Sequence, residues 1–179
     1  MGTTIITPII SVVMSVFNGE LFLKTAIKSI LNQTFTNFEF IIIDDGSTDL
    51  SATIIRNFED ERIIFIQNSS NKGLVFSLNT AIRISKGKYI ARFDADDISL
   101  PNRFKEQLLY LENNNNIDII GGSVILINEN GIIRKKDIRK LSHQQINSSL
   151  LFTCPIYHPT VLGRREVFMS LIYDNQVTG

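Results

Sequence analysis

Two near-continuous apolar runs, Ile9 to Phe17 and Phe38 to Ile43, constrain the fold of this chain more than any other feature. A strand with one face in water alternates apolar and polar residues, whereas a strand covered on both faces of a parallel sheet reads as an unbroken β-branched and aromatic run. Between the two runs, Leu23, Ala26, Ile27, Ile30 and Leu31 recur at helical spacing. Asn18-Gly19 supplies the turn from strand into helix. The segment predicts a βαβ unit, because parallel neighbours need a crossover of this length.

The alternation continues with a helix after Ser47-Thr48-Asp49, a strand at Arg62 to Gln67, and a helix carrying Leu74, Leu78, Ala81 and Ile82. Gly87 is the expected C-cap of that helix. A strand over Lys88 to Phe93 precedes a helix that takes Pro101 in its first turn and buries Phe104, Leu108 and Leu111. Past Asn113 to Asn116 the pattern weakens to apolar segments at Ile117 to Ile120 and Val124 to Ile127, then the turn signal Asn128-Glu129-Asn130-Gly131. The expectation is an α/β fold: a doubly wound, mostly parallel sheet flanked by helices, with a less regular C-terminal part. At 179 residues and 44% hydrophobic, the chain is expected to form a single domain over 1–179.

Lysine plus arginine and aspartate plus glutamate both number 18, so the chain lacks the net positive field of a nucleic-acid binder. The single cysteine, Cys154, excludes an internal disulfide and is expected as a small packed side chain. Met1 to Phe17 is apolar without a basic leader, and Ser11 and Ser15 interrupt it; it is expected as a buried strand, not a signal peptide or a membrane span.

Three polar clusters each follow a predicted strand: Asn18-Gly19-Glu20, Asp44 to Asp49, and Asp94-Ala95-Asp96-Asp97. A parallel sheet brings such loops to one edge, where α/β folds bind ligands. Ser47 and Asp49 are expected to cap the helix that follows them, which leaves Asp44 and Asp45 for another task. Asp94 and Asp96, one residue apart in a turn, offer hard oxygen ligands to Mg²⁺ or Mn²⁺, with positions left open for phosphate oxygens. That chemistry points to a nucleotide diphosphate. His158 before Pro159 reads either as a turn residue or as a member of the site. Arg164 and Arg165 could meet phosphate or acceptor anions, but beside Glu166 they read rather as solvated surface.

Taken in order, Ser11 to Asn18, Ile43-Asp44-Asp45-Gly46-Ser47-Thr48-Asp49, Asn71-Lys72-Gly73, Asp94-Ala95-Asp96-Asp97, Leu100-Pro101-Asn102-Arg103 and His158-Pro159-Thr160-Val161 resemble the family 2 glycosyltransferases of the GT-A fold. The resemblance runs from about Pro8 to near Tyr173. It implies inverting transfer of a sugar from a nucleotide-diphosphate sugar, most readily a UDP-sugar, to a saccharide or lipid-linked acceptor. Phe17, Asn18, Asp44 and Asp45 would hold base and ribose, with Asn71 to Gly73 lining the same pocket. Asp94, Ala95 and Asp96 match the family's DxD motif, whose implied role is to bind ribose and a Mn²⁺ or Mg²⁺ ion between the two phosphates. Asp97 is expected to support the loop or the acceptor side, and His158 to lie near the sugar and acceptor end. The resemblance further implies bacterial cell-surface polysaccharide synthesis, in the cytoplasm at the inner face of the membrane.

Inverting transfer needs a general base on the acceptor hydroxyl. Family members usually supply it from an acidic segment after the His-Pro-Thr region, and only Asp174 after Tyr173 resembles the lead-in to that segment. The expectation is that the base lies outside the sequence to Gly179, with Glu166 or Asp174 as the alternative. Competing readings are a nucleotide-sugar-binding module without catalysis and a nucleotidyltransferase. The latter should show a Gly-rich basic loop, which only Lys72-Gly73 faintly suggests. A dinucleotide-dependent dehydrogenase would need Gly-x-Gly-x-x-Gly after the first strand, and it is absent.

Overall fold

A computed structural model describes residues 7–174. The first two thirds alternate as the sequence predicts: β1 (Ile10–Val16), α1 (Glu20–Leu31), β2 (Phe38–Asp44), α2 (Ser51–Arg56), β3 (Ile63–Gln67), α3 (Leu74–Ile84), β4 (Tyr89–Arg92) and α4 (Arg103–Asn113). There follow β5 (Ile119–Ile120), β6 (Val124–Ile127), β7 (Ile133–Asp137), α5 (His143–Ser149), a 3-10 turn (His158–Thr160), β8 (Leu162–Arg164) and α6 (Arg165–Ser170). The main sheet runs β3-β2-β1-β4-β8-β5, while β6 and β7 form a separate two-stranded ribbon. The first four strands are parallel, and β8 is antiparallel to both of its neighbours.

The unbroken apolar runs become strands with both faces covered. Ile10, Val12, Met14 and Val16 pack with Leu23, Ala26, Ile27 and Ile30 of α1 and with Phe104 and Leu111 of α4. On the opposite face Val13, Ile41 and Ile43 pack with Leu78, Ala81 and Ile82 of α3 and with Phe168 of α6. Burying a Leu or Ile side chain contributes about 1.5–3 kcal/mol, so these two clusters dominate the stability of the sheet. The strand order reverses between β1 and β4, which leaves a crevice at their carboxyl ends.

Several sequence expectations are corrected here. Gly87 is not a C-cap: α3 ends at Ser85, and a Cβ on Gly87 would lie 2.5 Å from the Ser11 nitrogen. The glycine instead lets β1 and the start of β4 approach, and its N–H donates to Ser11 Oγ at 2.8 Å. Pro101 precedes α4 rather than entering its first turn, and its carbonyl accepts from Thr34 N. Cys154 is exposed rather than packed. The buried strand expected within Met1 to Phe17 is β1, which begins at Ile10; residues 1–6 lie outside the described residues. Among the described residues no helix is long and apolar enough to cross a membrane.

Candidate active site

The loops after β1 and β2 are stitched together at the carboxyl edge. Asn18, at φ 51, turns the chain out of β1, and its Oδ1 accepts from Thr48 N at 2.9 Å. The backbone N–H groups leading into α1 are then bonded by side chains from the loop after β2 and the start of α2. Asn18 N donates to Ser47 Oγ, Gly19 N to Ser51 Oγ and Glu20 N to Asp49 Oδ2, at 2.9, 2.9 and 3.0 Å. Ser47 is therefore not the expected cap of α2, since it accepts at the turn before α1, and Asp49 accepts from Ser51 N of α2 as well as from Glu20 N of α1; Leu50 occupies the N-cap of α2 without a side-chain bond. Phe17, beside this seam, is about half exposed.

Asp44 and Asp45 close β2 and are both buried. Asp45 is committed to the loop after β3. Its carboxylate accepts from Asn68 Nδ2 at 2.7 Å, Lys72 N at 3.0 Å and Gly73 N at 2.8 Å. Asn71 Oδ1 accepts from the same Gly73 N–H at 3.0 Å. Between them Gly46, at φ +75, lets the two loops touch: a Cβ there would lie 2.6 Å from the Ser70 carbonyl carbon. Asp44 differs. One oxygen accepts from Ser47 N at 3.0 Å, and Oδ2 is buried with no partner among the described residues. A buried acceptor left open is costly, and at a crevice it is a place for a ligand donor.

Beyond β4, Asp94, Asp96 and Asp97 each offer a carboxylate oxygen, all within 4.8 Å of one another. Three carboxylates so close repel, and the shifts show it. Asp97 is pushed up to about 6 by burial first, then by Asp94 and Asp96. Burial also raises Asp94, against the pull of Arg92, which forms a short ion pair with it. Oxygen-only donors crowded in this way fit a hard divalent cation, whose charge would relieve the repulsion. Ala95 lies between the first two carboxylates in the turn.

The cation at the centre of the site was missed from the sequence. Arg92 is buried, and its Nε has no partner among the described residues. It lies two residues before Asp94, hence on the same side of the strand, and it is the one charged residue between Tyr89 and Phe93. That isolation was the available signal. Arg103 supports the same turn, donating from one amino group to the Arg92 carbonyl at 2.9 Å and to the Val161 carbonyl at 3.3 Å. Desolvation lowers Arg103 to about 10.

His158 opens the 3-10 turn beside the end of β4, where Arg92 N donates to the Val161 carbonyl. Its Nε2 lies 2.5 Å from Tyr173 Oη, with the rings edge to face. Burial, followed by Arg92, lowers His158 to about 4, so it is a neutral imidazole. Other sequence candidates fall at the opposite edge. Arg164 is held by the Leu111 and Ile117 carbonyls and by Asp118, and Arg165 bonds Ser85 Oγ, so neither is solvated surface and neither meets the crevice. Glu166 opens α6 there, whereas Asp174 adjoins Tyr173.

The family model for glycosyl transferase family 2 matches residues 11–172, which spans every loop just described. The chain belongs to this family. A glycosyltransferase of Methanocaldococcus jannaschii is 39% identical over 175 residues, covering 95% of this chain and 60% of that protein. Among solved structures, S. aureus TarS in complex with UDP-GlcNAc superposes with a TM-score of 0.72 at 19% identity, over 90% of this chain and 46% of that one. A Pyrobaculum calidifontis mannosyltransferase in complex with GDP-Man and Mn²⁺ gives 0.70 at 17% identity, over 96% and 49%. These likenesses establish the GT-A fold. The chain spans between 53% and 60% of the length of the three curated relatives first matched.

Proposed function

We propose that this family 2 glycosyltransferase chain, as one GT-A domain, transfers a sugar from a UDP-sugar to a saccharide or lipid-linked acceptor with inversion. The observation that carries the reading is the carboxylate triad Asp94, Asp96 and Asp97 at the edge where the β1, β2 and β3 loops converge. The UDP assignment is supported by the nucleotide sugar in the TarS complex. The acceptor class is supported by two E. coli relatives, an O-antigen biosynthesis glycosyltransferase and a glucosyltransferase named for a diphosphoundecaprenol acceptor. An inner-face, cytoplasmic location fits such an acceptor.

In this reading the exposed ring of Phe17 and the open Oδ2 of Asp44 meet base and ribose, while Asn18, Asn71 and Gly73 shape the walls. Asp45 acts through the loop it holds. Asp94 and Asp96 would hold Mn²⁺ or Mg²⁺, which supplies positive charge where the diphosphate leaving group gains negative charge. Ala95 keeps the turn between them small enough for the donor to approach. Arg92 holds Asp94 in place and offsets the crowded carboxylates. Asp97 and His158 face the acceptor side, His158 as a neutral hydrogen-bonding group fixed by Tyr173. Of the carboxylates weighed as base, Glu166 is at the wrong edge and Asp174 is next to Tyr173.

The test is calorimetric titration with UDP in Mn²⁺, repeated with EDTA and with Asp96→Ala. The reading expects binding that needs the metal and is lost in Asp96→Ala. Binding of GDP or dTDP in place of UDP would overturn the donor assignment, and failure of every nucleotide would overturn the site.

A further inference from the structure

We propose that the β6–β7 ribbon and the end of α5 form a docking face for an anionic lipid surface. In the register of the ribbon, Ile125 stands across from Lys136 and Leu126 from Lys135, so apolar and cationic side chains share each face. All four are exposed, as are Ile127, Ile132 and Ile133. A two-stranded ribbon with no covering layer is marginal in water. It is anchored at its base, where Tyr157 Oη donates to Asp137 at 2.6 Å and Arg139 donates to Asp137 and to the Pro155 carbonyl.

Following the ribbon in the chain, α5 has no buried residue, and it leads into Leu150-Leu151-Phe152, of which Leu151 is 80% and Phe152 89% exposed. An open cavity of about 570 Å³ lies between α5 and residues 138–141, lined among others by Ile138, Arg139, Lys140 and Leu141. Charge selects the occupant. Five of the 18 basic residues fall between Arg134 and Lys140, with Asp137 as the one acid, in a chain of zero net charge. A second copy meeting this face symmetrically would bring two cationic patches together. Interleaved apolar and basic side chains suit an interfacial position, with aliphatic stems in the lipid and charged heads among anionic headgroups.

This inference rests on the surface and not on the sugar-transfer reading, so UDP titration on the same samples separates the two. The experiment is co-sedimentation with phosphatidylcholine vesicles, with and without phosphatidylglycerol, at low and high salt. Binding is expected only with phosphatidylglycerol, weakened by salt. The Lys135→Glu, Lys136→Glu double variant should lose about thirtyfold or more in partitioning, near fivefold per lysine removed. Leu151→Ser with Phe152→Ser should weaken binding at both salt concentrations. Equal binding to both vesicle types, no binding, or an unchanged double variant would overturn the proposal. So would a concentration-dependent dimer in sedimentation equilibrium that the double variant dissolves, which would assign the face to a second copy.

Discussion

The Asp45 carboxylate accepts the Gly73 N–H at 2.8 Å, which ties the end of β2 to the start of α3 across 28 residues of chain. The same carboxylate takes Lys72 N and Asn68 Nδ2. Hydrogen bonds to a charged group contribute about 1.5–3 kcal/mol, and removing the acceptor strands buried donors. Asp45→Ala is expected to cost about 2–3 kcal/mol in urea unfolding and to weaken UDP binding with it. Unchanged stability would show that the loop holds its shape without this clamp.

Arg92 and Asp94 form a pair with unequal burial: the Arg92 side chain is 5% exposed and Asp94 31%. Breaking a fully buried pair costs about 3–5 kcal/mol, and partial exposure of one partner lowers that. Arg92→Met is expected to destabilise by about 2–3 kcal/mol, read as a shift in denaturation midpoint at unchanged slope.

His158 should titrate near 4 in the folded protein, against an ordinary value of 6.5. NMR of the imidazole carbons across pH 3.5–8 reads this directly. The sign follows from proton counting: between about 4 and 6.5 the unfolded chain binds the proton and the folded one does not. The stability from burying neutral His158 is thus full above 6.5 and is lost as pH falls toward 4. A midpoint at or above 6.5 would contradict the burial.

Gly46→Ala adds a Cβ at φ +75, 2.6 Å from the backbone of Ser70. The left-handed region alone costs a non-glycine residue about 1–2 kcal/mol, and the contact adds to it because backbone cannot step aside. A loss above about 2 kcal/mol in thermal or urea unfolding is expected.

The β1–α1–β2 unit was legible because two-sided burial leaves a pattern with one reading, and β1 and β2 lie within two residues of the expected runs. Gly87 and Pro101 misled because each residue type has several uses, and only tertiary contact tells a C-cap from a close strand crossing. β8 was invisible for a related reason: three residues carry no periodicity, and pairing with β4 and β5 makes them a strand. In the site, Asp94 and Asp96 declared themselves as a spaced carboxylate pair. Arg92 was hidden inside the strand that precedes them, and Tyr173 acquires its part only through His158. Ser47 and Asp49 looked like caps of the next helix, but local sequence does not show that the β1 loop lies close enough to take their bonds.

The seam between the β1 and β2 loops decides how this edge can meet an anion. Many α/β folds hold a diphosphate on the free N–H groups and positive dipole end of the first helix. Here the first N–H of α1, that of Glu20, is already taken by the Asp49 carboxylate, the Asn18 and Gly19 N–H groups just before it by Ser47 and Ser51, and Asp45 accepts from Gly73 N just before α3. Both helix starts facing the crevice arrive with a carboxylate already beside them. A negatively charged ligand entering it must therefore find its counter-charge at the acidic turn after β4, where carboxylates attract nothing anionic until a cation has joined them.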